Sequence, residues 1–157
     1  MTVFNMCTSD YQANYNARSD LSGRTQVLSR RFIGTDLTAL TTTATDSFKI
    51  FKIGKHQLVK NVKVIVTDAD DTSITVSLGY TDGTNTSATA FEADANLNST
   101  GVTSSADDIV FFDDDGYFIV MTLGALSTLD AATEWVVMVE VDDLSNVGVT
   151  EALTTPV

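Results

Sequence analysis

One cysteine, one histidine and one proline in 157 residues remove much chemistry before any pattern is sought. Cys7 has no partner within the chain, so neither an internal disulfide framework nor a thiolate zinc cluster can form. His56 sits in Lys55-His56-Gln57 with no local nucleophile or orienting acid, and Cys7 is the one thiol it could meet. A turn histidine and an inert thiol are the expected reading. No apolar run approaches the roughly 20 residues of a membrane span. Residues 1–7 show neither the basic start nor the apolar core of a secretory signal. There is no phosphate-binding glycine motif, no nucleophile elbow and no zinc-ligand spacing. Neither an enzyme nor a membrane protein is expected.

Positive charge is missing from more than half of the chain. All nine Lys and Arg lie at or before Lys63, so the net charge of −12 divides into +5 over residues 1–66 and −17 over residues 67–157. An overall acidic chain argues against nucleic acid as the partner. The asymmetry has two readings. A basic N-terminal segment can face an acidic partner while the acidic body resists self-association, or the basic residues can fold back onto that body.

What is present is mostly strand signal. Residues 73–80 alternate, with Ile74, Val76, Leu78 and Tyr80 on one face, and residues 62–67 do the same through Val62, Val64 and Val66. The turn Asp68-Ala69-Asp70-Asp71-Thr72 between them suggests a β-hairpin. In Phe48-Lys49-Ile50-Phe51-Lys52-Ile53 the alternation changes phase between Ile50 and Phe51, which a bulge would accommodate. Residues 117–123 and 135–141 are apolar at nearly every position, as strands covered on both faces would be. Residues 81–107 are rich in Thr, Ser, Ala, Asn and Gly and read as a long, functional or partly ordered loop, pinned by Phe91, Leu97 and Val102. Strands joined by turns, with almost no helix, predict an all-β fold: an antiparallel β-sandwich or jelly roll over residues 46–157.

Residues 1–45 differ from the rest. They are polar, lack a sustained period and end in a Thr-rich tract suited to extended backbone, so they are expected to form an extended N-terminal arm with a short strand near residues 25–33. A plain flexible tail is the competing reading. The arm carries Tyr11, Tyr15, Arg18, Arg24, Arg30 and Arg31, the composition of an interface segment, because tyrosine offers an apolar ring with a polar tip. Trp135 and Tyr80 are expected in the core, and Phe91, where it does not pin the long loop, is that loop's candidate for an exposed aromatic.

The acidic turns are the candidate ion sites. Asp68-x-Asp70-Asp71, Asp82-Gly83-Thr84-Asn85 and Asp113-Asp114-Asp115-Gly116 are oxygen-rich, but none has the spacing or terminal Glu of an EF-hand, and Asp and Asn favour turns for local reasons. Solvated turns are expected, with no cofactor and no Ca²⁺. Paired carboxylates of the kind that hydrolyse glycosides arise by chance among seventeen acids. Asn85-Thr86-Ser87 and Asn98-Ser99-Thr100 match the N-glycosylation pattern, which is read as coincidence without a secretion route.

The run of residues 62–66, its turn, Ile74-Thr75-Val76-Ser77-Leu78-Gly79-Tyr80-Thr81-Asp82-Gly83-Thr84, and then Ala90-Phe91-Glu92-Ala93-Asp94-Ala95-Asn96-Leu97 resembles small virion proteins of tailed bacteriophages. The likeness spans residues 46–142 and leaves the arm outside. It implies a capsid decoration (cement) protein: a β-sandwich, usually a trimer, that clamps neighbouring capsomers by binding the major capsid protein. The implied location is the capsid surface of the virion, and the host cytoplasm during assembly. A neck, tail or head-fibre-base component would share this composition. A carbohydrate-binding adhesin domain using Phe91 and the acidic loops is the reading from a different class.

Overall fold

A computed structural model describes residues 3–5, 25–38, 47–105, 109–124 and 128–144. Among these residues, ten strands and one short helix are arranged as β1 (Val3–Asn5), β2 (Thr25–Ile33), α1 (Gly34–Thr38), β3 (Ser47–Ile53), β4 (Gln57–Asp68), β5 (Thr75–Thr81), β6 (Thr86–Asn96), β7 (Gly101–Ser105), β8 (Val110–Phe112), β9 (Tyr117–Leu123) and β10 (Glu134–Asp143). They form two sheets packed face to face, one in the order β1-β3-β9-β5-β6 and the other in the order β2-β10-β4-β7, with β8 also paired to β4. The pairings are antiparallel except for β1, which runs parallel to β3. The chain is an all-β sandwich, as its alternating patterns predict.

The core is the inner faces of both sheets. Trp135, Val137, Val139 and Val141 of β10 meet Val62, Val64 and Val66 of β4 beneath Phe48, Ile50, Phe51 and Ile53 of β3 and Ile119, Met121 and Leu123 of β9. The phase change in β3 is a register shift between Lys49 and Phe51, so residues on both sides of it point inward. Phe118, within the run 117–123 that reads as covered on both faces, lies half-buried, with Lys49 Nζ 4.5 Å from its ring centroid.

Three local expectations are corrected. The strands on either side of the 68–72 turn are not a hairpin: β4 belongs to one sheet and β5 to the other, so the chain crosses the sandwich there. The turn supports that crossing because Asp70 points inward, only 3% exposed, rather than into solvent. The stretch 81–107 is not a long loop but contains β6 and β7. Both are outer strands of their sheets, where one neighbour suffices and Thr, Ser and Ala fill half-exposed positions, so the sequence lacks the apolar density of a buried strand. Phe91 and Leu97 anchor it as expected, while Val102 is 63% exposed. Finally, residues 135–141 are covered on one face only: their burial alternates, leaving Val136 and Met138 half-buried on the outer side.

The strand expected near residues 25–33 is present, but its position differs from an arm. β2 pairs along its whole length with β10 and buries Leu28 and Phe32 in the core. Helix α1 continues into the body, with Leu37 fully buried and the Gly34 and Thr35 amides donating to the Thr133 and Ala131 carbonyls at 2.8 and 3.1 Å. Residues 25–38 therefore belong to the sandwich. The alternation Gln26-x-Leu28-x-Arg30-x-Phe32 hid this because only two of its four inward positions are apolar.

Gly79 marks where β5 and β6 approach most closely. A Cβ at this position would lie 1.8 Å from the Ser87 carbonyl oxygen and 2.6 Å from the Ala88 carbonyl carbon, both backbone atoms that can move only by parting the strands. Gly79→Ala is expected to lower stability by roughly 1–3 kcal/mol, the range for overpacking. Chemical denaturation measures this, and hydrogen exchange locates the loss in β6.

Candidate interaction surface

Of the arm residues, the structure describes Arg30 and Arg31; Tyr11, Tyr15, Arg18 and Arg24 lie outside the described residues, as does Cys7. Neighbours on β2, Arg30 and Arg31 point to opposite faces of the sheet. Arg30 sits with its guanidinium carbon 5.6 Å from the Phe32 ring centroid, a cation–π contact at the sheet edge. Arg31 points outward and pairs with Glu134 of β10. That hydrogen bond and the neighbouring charge raise the Arg31 pKa and lower that of Glu134. A second pair, Lys60 Nζ to Asp142 Oδ2 at 2.9 Å, lies further along the same face, with Thr25 Oγ1 donating to Asp142 Oδ1 at 2.5 Å. Burial alone would raise the Asp142 pKa, but the Thr25 and Lys60 bonds outweigh it and the net shift is downward. Part of the N-terminal positive charge is thus folded back onto the acidic C-terminal strand.

Between these pairs, the outer face of the second sheet carries an apolar row. Val136 lies beside Arg31 on one side and Ile65 on the other, and Ile65 lies beside Val102. Met138 flanks the row, next to Ser29 and Lys63. Val27 (51% exposed) and Val102 (63%) extend the apolar surface toward the two edges. At the far end, Phe111 is 49% exposed beside Leu58, and its ring stacks on His56 with centroids 6.4 Å apart. His56 is therefore an aromatic partner, hydrogen-bonded through its side chain to no nucleophile among the described residues. β2 is the terminal strand of this sheet, so one of its edges has no strand partner among the described residues. An edge of that kind is a template for strand addition.

The acidic turns hold the fold together locally. Asp70 accepts hydrogen bonds at Oδ1 from the Thr72 amide and hydroxyl and at Oδ2 from the Asp130 amide and the Thr133 hydroxyl, all within 2.8 Å. Burial would raise its pKa, but these bonds outweigh it and the net shift is downward. Asp82 accepts from the amides of Thr84 and Asn85 and from the Asn85 side chain, bonds that lower its pKa. Asp115 accepts from the Lys55 amide at 3.0 Å. Among the described residues no three His, Cys, Asp or Glu side chains converge on a possible metal position. No helix of the described residues is long and apolar enough to cross a membrane.

Phe91 takes the buried of its two readings, and Tyr80 is less buried than its strand pattern predicts. Phe91 is 2% exposed and cannot present its ring to a ligand, whereas Tyr80 is half-buried and lines a cleft with Tyr117. Trp135 is fully buried, as its pattern predicts. The cleft escaped sequence reasoning because its walls come from β5, β6 and β9, whose adjacency depends on sheet order.

The architecture defines a class, the two-sheet antiparallel β-sandwich, and solved structures share it. One is a chain of the acid-stable capsid of Helicobacter pylori bacteriophage KHP30, 14% identical, covering 77% of this chain and 89% of that one with a TM-score of 0.56. A second is from the capsid asymmetric unit of cyanophage Pam1, 17% identical over 76% and 84% with a TM-score of 0.53. A third is from the capsid of Ralstonia phage GP4, 14% identical over 79% and 87% with a TM-score of 0.57. At these identities the likeness is one of fold, and at that level the resemblance to phage virion proteins holds. No protein-family profile matches the sequence. No curated protein matches it significantly.

Proposed function

We propose that this chain is a bacteriophage virion structural protein, a decoration or cement protein of the head that binds the major capsid protein across capsomer boundaries and acts without catalysis. The observation that carries this reading is the sandwich shared over more than three quarters of the chain with three phage capsid chains. Its contacts are assigned to Tyr11, Tyr15, Arg18 and Arg24, which precede β2, and to Arg30 and Arg31 on β2 itself. The open edge of β2 and the apolar row Val136–Ile65–Val102 beside it suit a protein partner, because strand addition supplies main-chain hydrogen bonds and the row supplies apolar area. A trimer at a threefold position of the head fits the same reading, on the virion surface after assembly in the host cytoplasm.

Because β2 and α1 belong to the sandwich, removing residues 1–45 would unfold its edge and test nothing about binding. Substitution in the full chain avoids this. Combined replacement of Tyr11, Tyr15, Arg18 and Arg24 by alanine is expected to weaken co-sedimentation with empty phage heads by tenfold or more, with the thermal midpoint unchanged. Raising the salt should weaken the parent protein's binding as its exposed charges are screened. Undiminished binding by the quadruple variant would remove the arm from the interface. Failure of the parent protein to bind heads would remove the decoration role.

A further inference from the structure

We propose that the cleft between Tyr80 and Tyr117 is a binding site for a neutral saccharide, independent of the capsid-binding surface. The cleft lies at the end of the sandwich where β5 runs into the 82–85 turn and β9 begins, and is lined by Tyr80, Asp82, Asn85, Thr86, Ser87 and Tyr117. Its volume is about 270 Å³. That is just under the roughly 300–1,000 Å³ of sites for drug-sized ligands, so it suits a ligand of single-ring size.

The walls are aromatic and rigid. The Tyr80 and Tyr117 rings stand 6.2 Å apart at an interplanar angle of 68°, forming two sides of a corner. Both rest on buried phenylalanines: Tyr80 on Phe91 at 6.0 Å and on Phe112 at 5.3 Å, and Tyr117 on Phe112 at 4.9 Å. Their positions are therefore set before any ligand arrives, which reduces the ordering cost of binding. A sugar ring offers C–H groups to an aromatic face and hydroxyls to its edge, the two chemistries this corner provides.

The polar side is also prepared. Asp82 Oδ1 accepts from the Thr84 and Asn85 amides at 2.7 and 2.6 Å, and Oδ2 accepts from Asn85 Nδ2 at 3.0 Å. The Asn85 amide is thereby oriented, leaving its oxygen outside that bond. Thr86 donates to Thr81 Oγ1 at 2.9 Å, and Thr81 donates to the Asn85 carbonyl at 2.7 Å. The hydroxyls of Tyr80, Tyr117 and Ser87 bond to no other described residue and can both donate and accept, as sugar hydroxyls do. No Lys, Arg or His is among the described lining residues, so a phosphate or carboxylate ligand would meet only the Asp82 charge. That charge is engaged three times by its own turn, which favours a neutral polyol over an organic cation. The site lies at the opposite end of the sandwich from the Asp70 turn and uses no residue assigned to the capsid contact.

Saturation-transfer difference NMR on the full chain tests this with the methyl glycosides of glucose, galactose, mannose and N-acetylglucosamine at millimolar concentration, and with choline and inorganic phosphate as competing classes. At least one glycoside is expected to receive saturation, with neither choline nor phosphate doing so. Tyr117→Ala should weaken that binding about tenfold by removing one wall. Tyr117→Phe, which keeps the wall, should retain most of it, and Ser87→Ala should weaken it several-fold; circular dichroism and the thermal midpoint check that each variant is folded. Repeating the titration with matching di- and trisaccharides assigns the source: tighter binding means a glycan chain, equal binding a free sugar. Binding of choline without any glycoside, silence from all glycosides, or glycoside binding unchanged in folded Tyr117→Ala and Ser87→Ala would overturn the proposal.

Discussion

Asp70→Ala is expected to lower the stability of the sandwich by about 4 kcal/mol, because the buried Thr133 hydroxyl is left without its acceptor and three partly buried donors lose a bond to a charged group, terms of roughly 1–3 kcal/mol each that water offsets in part for the exposed donors. The donors are the Thr72 amide and hydroxyl, the Asp130 amide and the hydroxyl of the fully buried Thr133. They come from two connections, the β4–β5 crossing and the link ahead of β10. The Asp70 amide itself donates to the Leu97 carbonyl at 2.9 Å, which adds the end of β6. Gly34 and Thr35 then hang from Thr133 and Ala131, so one carboxylate organises most of this end of the molecule. Urea denaturation measures the loss. Asp70→Asn keeps the shape but directs an NH₂ at groups that donate, and should cost about half as much.

The same carboxylate gives a pH dependence with a definite sign. Its folded pKa is lowered from the ordinary value of 3.8, so the folded state holds fewer protons here than the unfolded state does. The resulting stability is fully present above the unfolded value and is lost as the pH falls from there through the folded value. Acid titration of the parent protein should therefore show stability falling below about pH 4. In Asp70→Asn this part of the slope should be missing. An identical acid slope in the two proteins would mean that the Asp70 pKa is not lowered on folding.

Trp135→Ala is the other large effect, expected to cost roughly 3–5 kcal/mol, the range for truncating a large aromatic in a core. The indole is fully buried and stacks on Phe32 with ring centroids 5.6 Å apart and an interplanar angle of 19°. This stack joins β10 to β2, so hydrogen exchange should show β2 losing protection before the rest of the second sheet. Trp135→Phe should be much milder, about 1 kcal/mol: the buried indole Nε1 has no hydrogen-bond partner among the described residues, and removing it recovers part of that penalty. A Phe variant as unstable as the Ala variant would mean that the indole N–H is satisfied after all. On the proposed capsid contact, loss of β2 in Trp135→Ala should also reduce head binding, because Arg30 and Arg31 ride on that strand.

Much of the fold was legible because a sandwich writes its core face as a period of two. Val62-x-Val64-x-Val66 and Ile74-x-Val76-x-Leu78 name their inward residues directly, and the broken phase at Ile50-Phe51 named a bulge. Sheet membership was not legible. Whether the turn after β4 makes a hairpin or a crossing depends on whether Asp70 finds donors for its inward carboxylate, and two of its four come from residues some sixty positions later, Asp130 and Thr133. The edge strands were dim for a related reason: β2, β6 and β7 bury few large side chains and take much of their stability from neighbours the local sequence does not contain.

By itself, then, the sequence determined the strand class, the inward faces of the alternating strands, the absence of a disulfide within the chain and the division of charge, since each follows from residue type and local spacing. Only the tertiary structure decided that residues 25–38 belong to the sandwich, that Phe91 is buried while Tyr80 lines a cleft, and that the outer face of β10 is partly open. These three depend on which strands are neighbours, and strand order is set by contacts between residues far apart in the chain, beyond the reach of any local pattern.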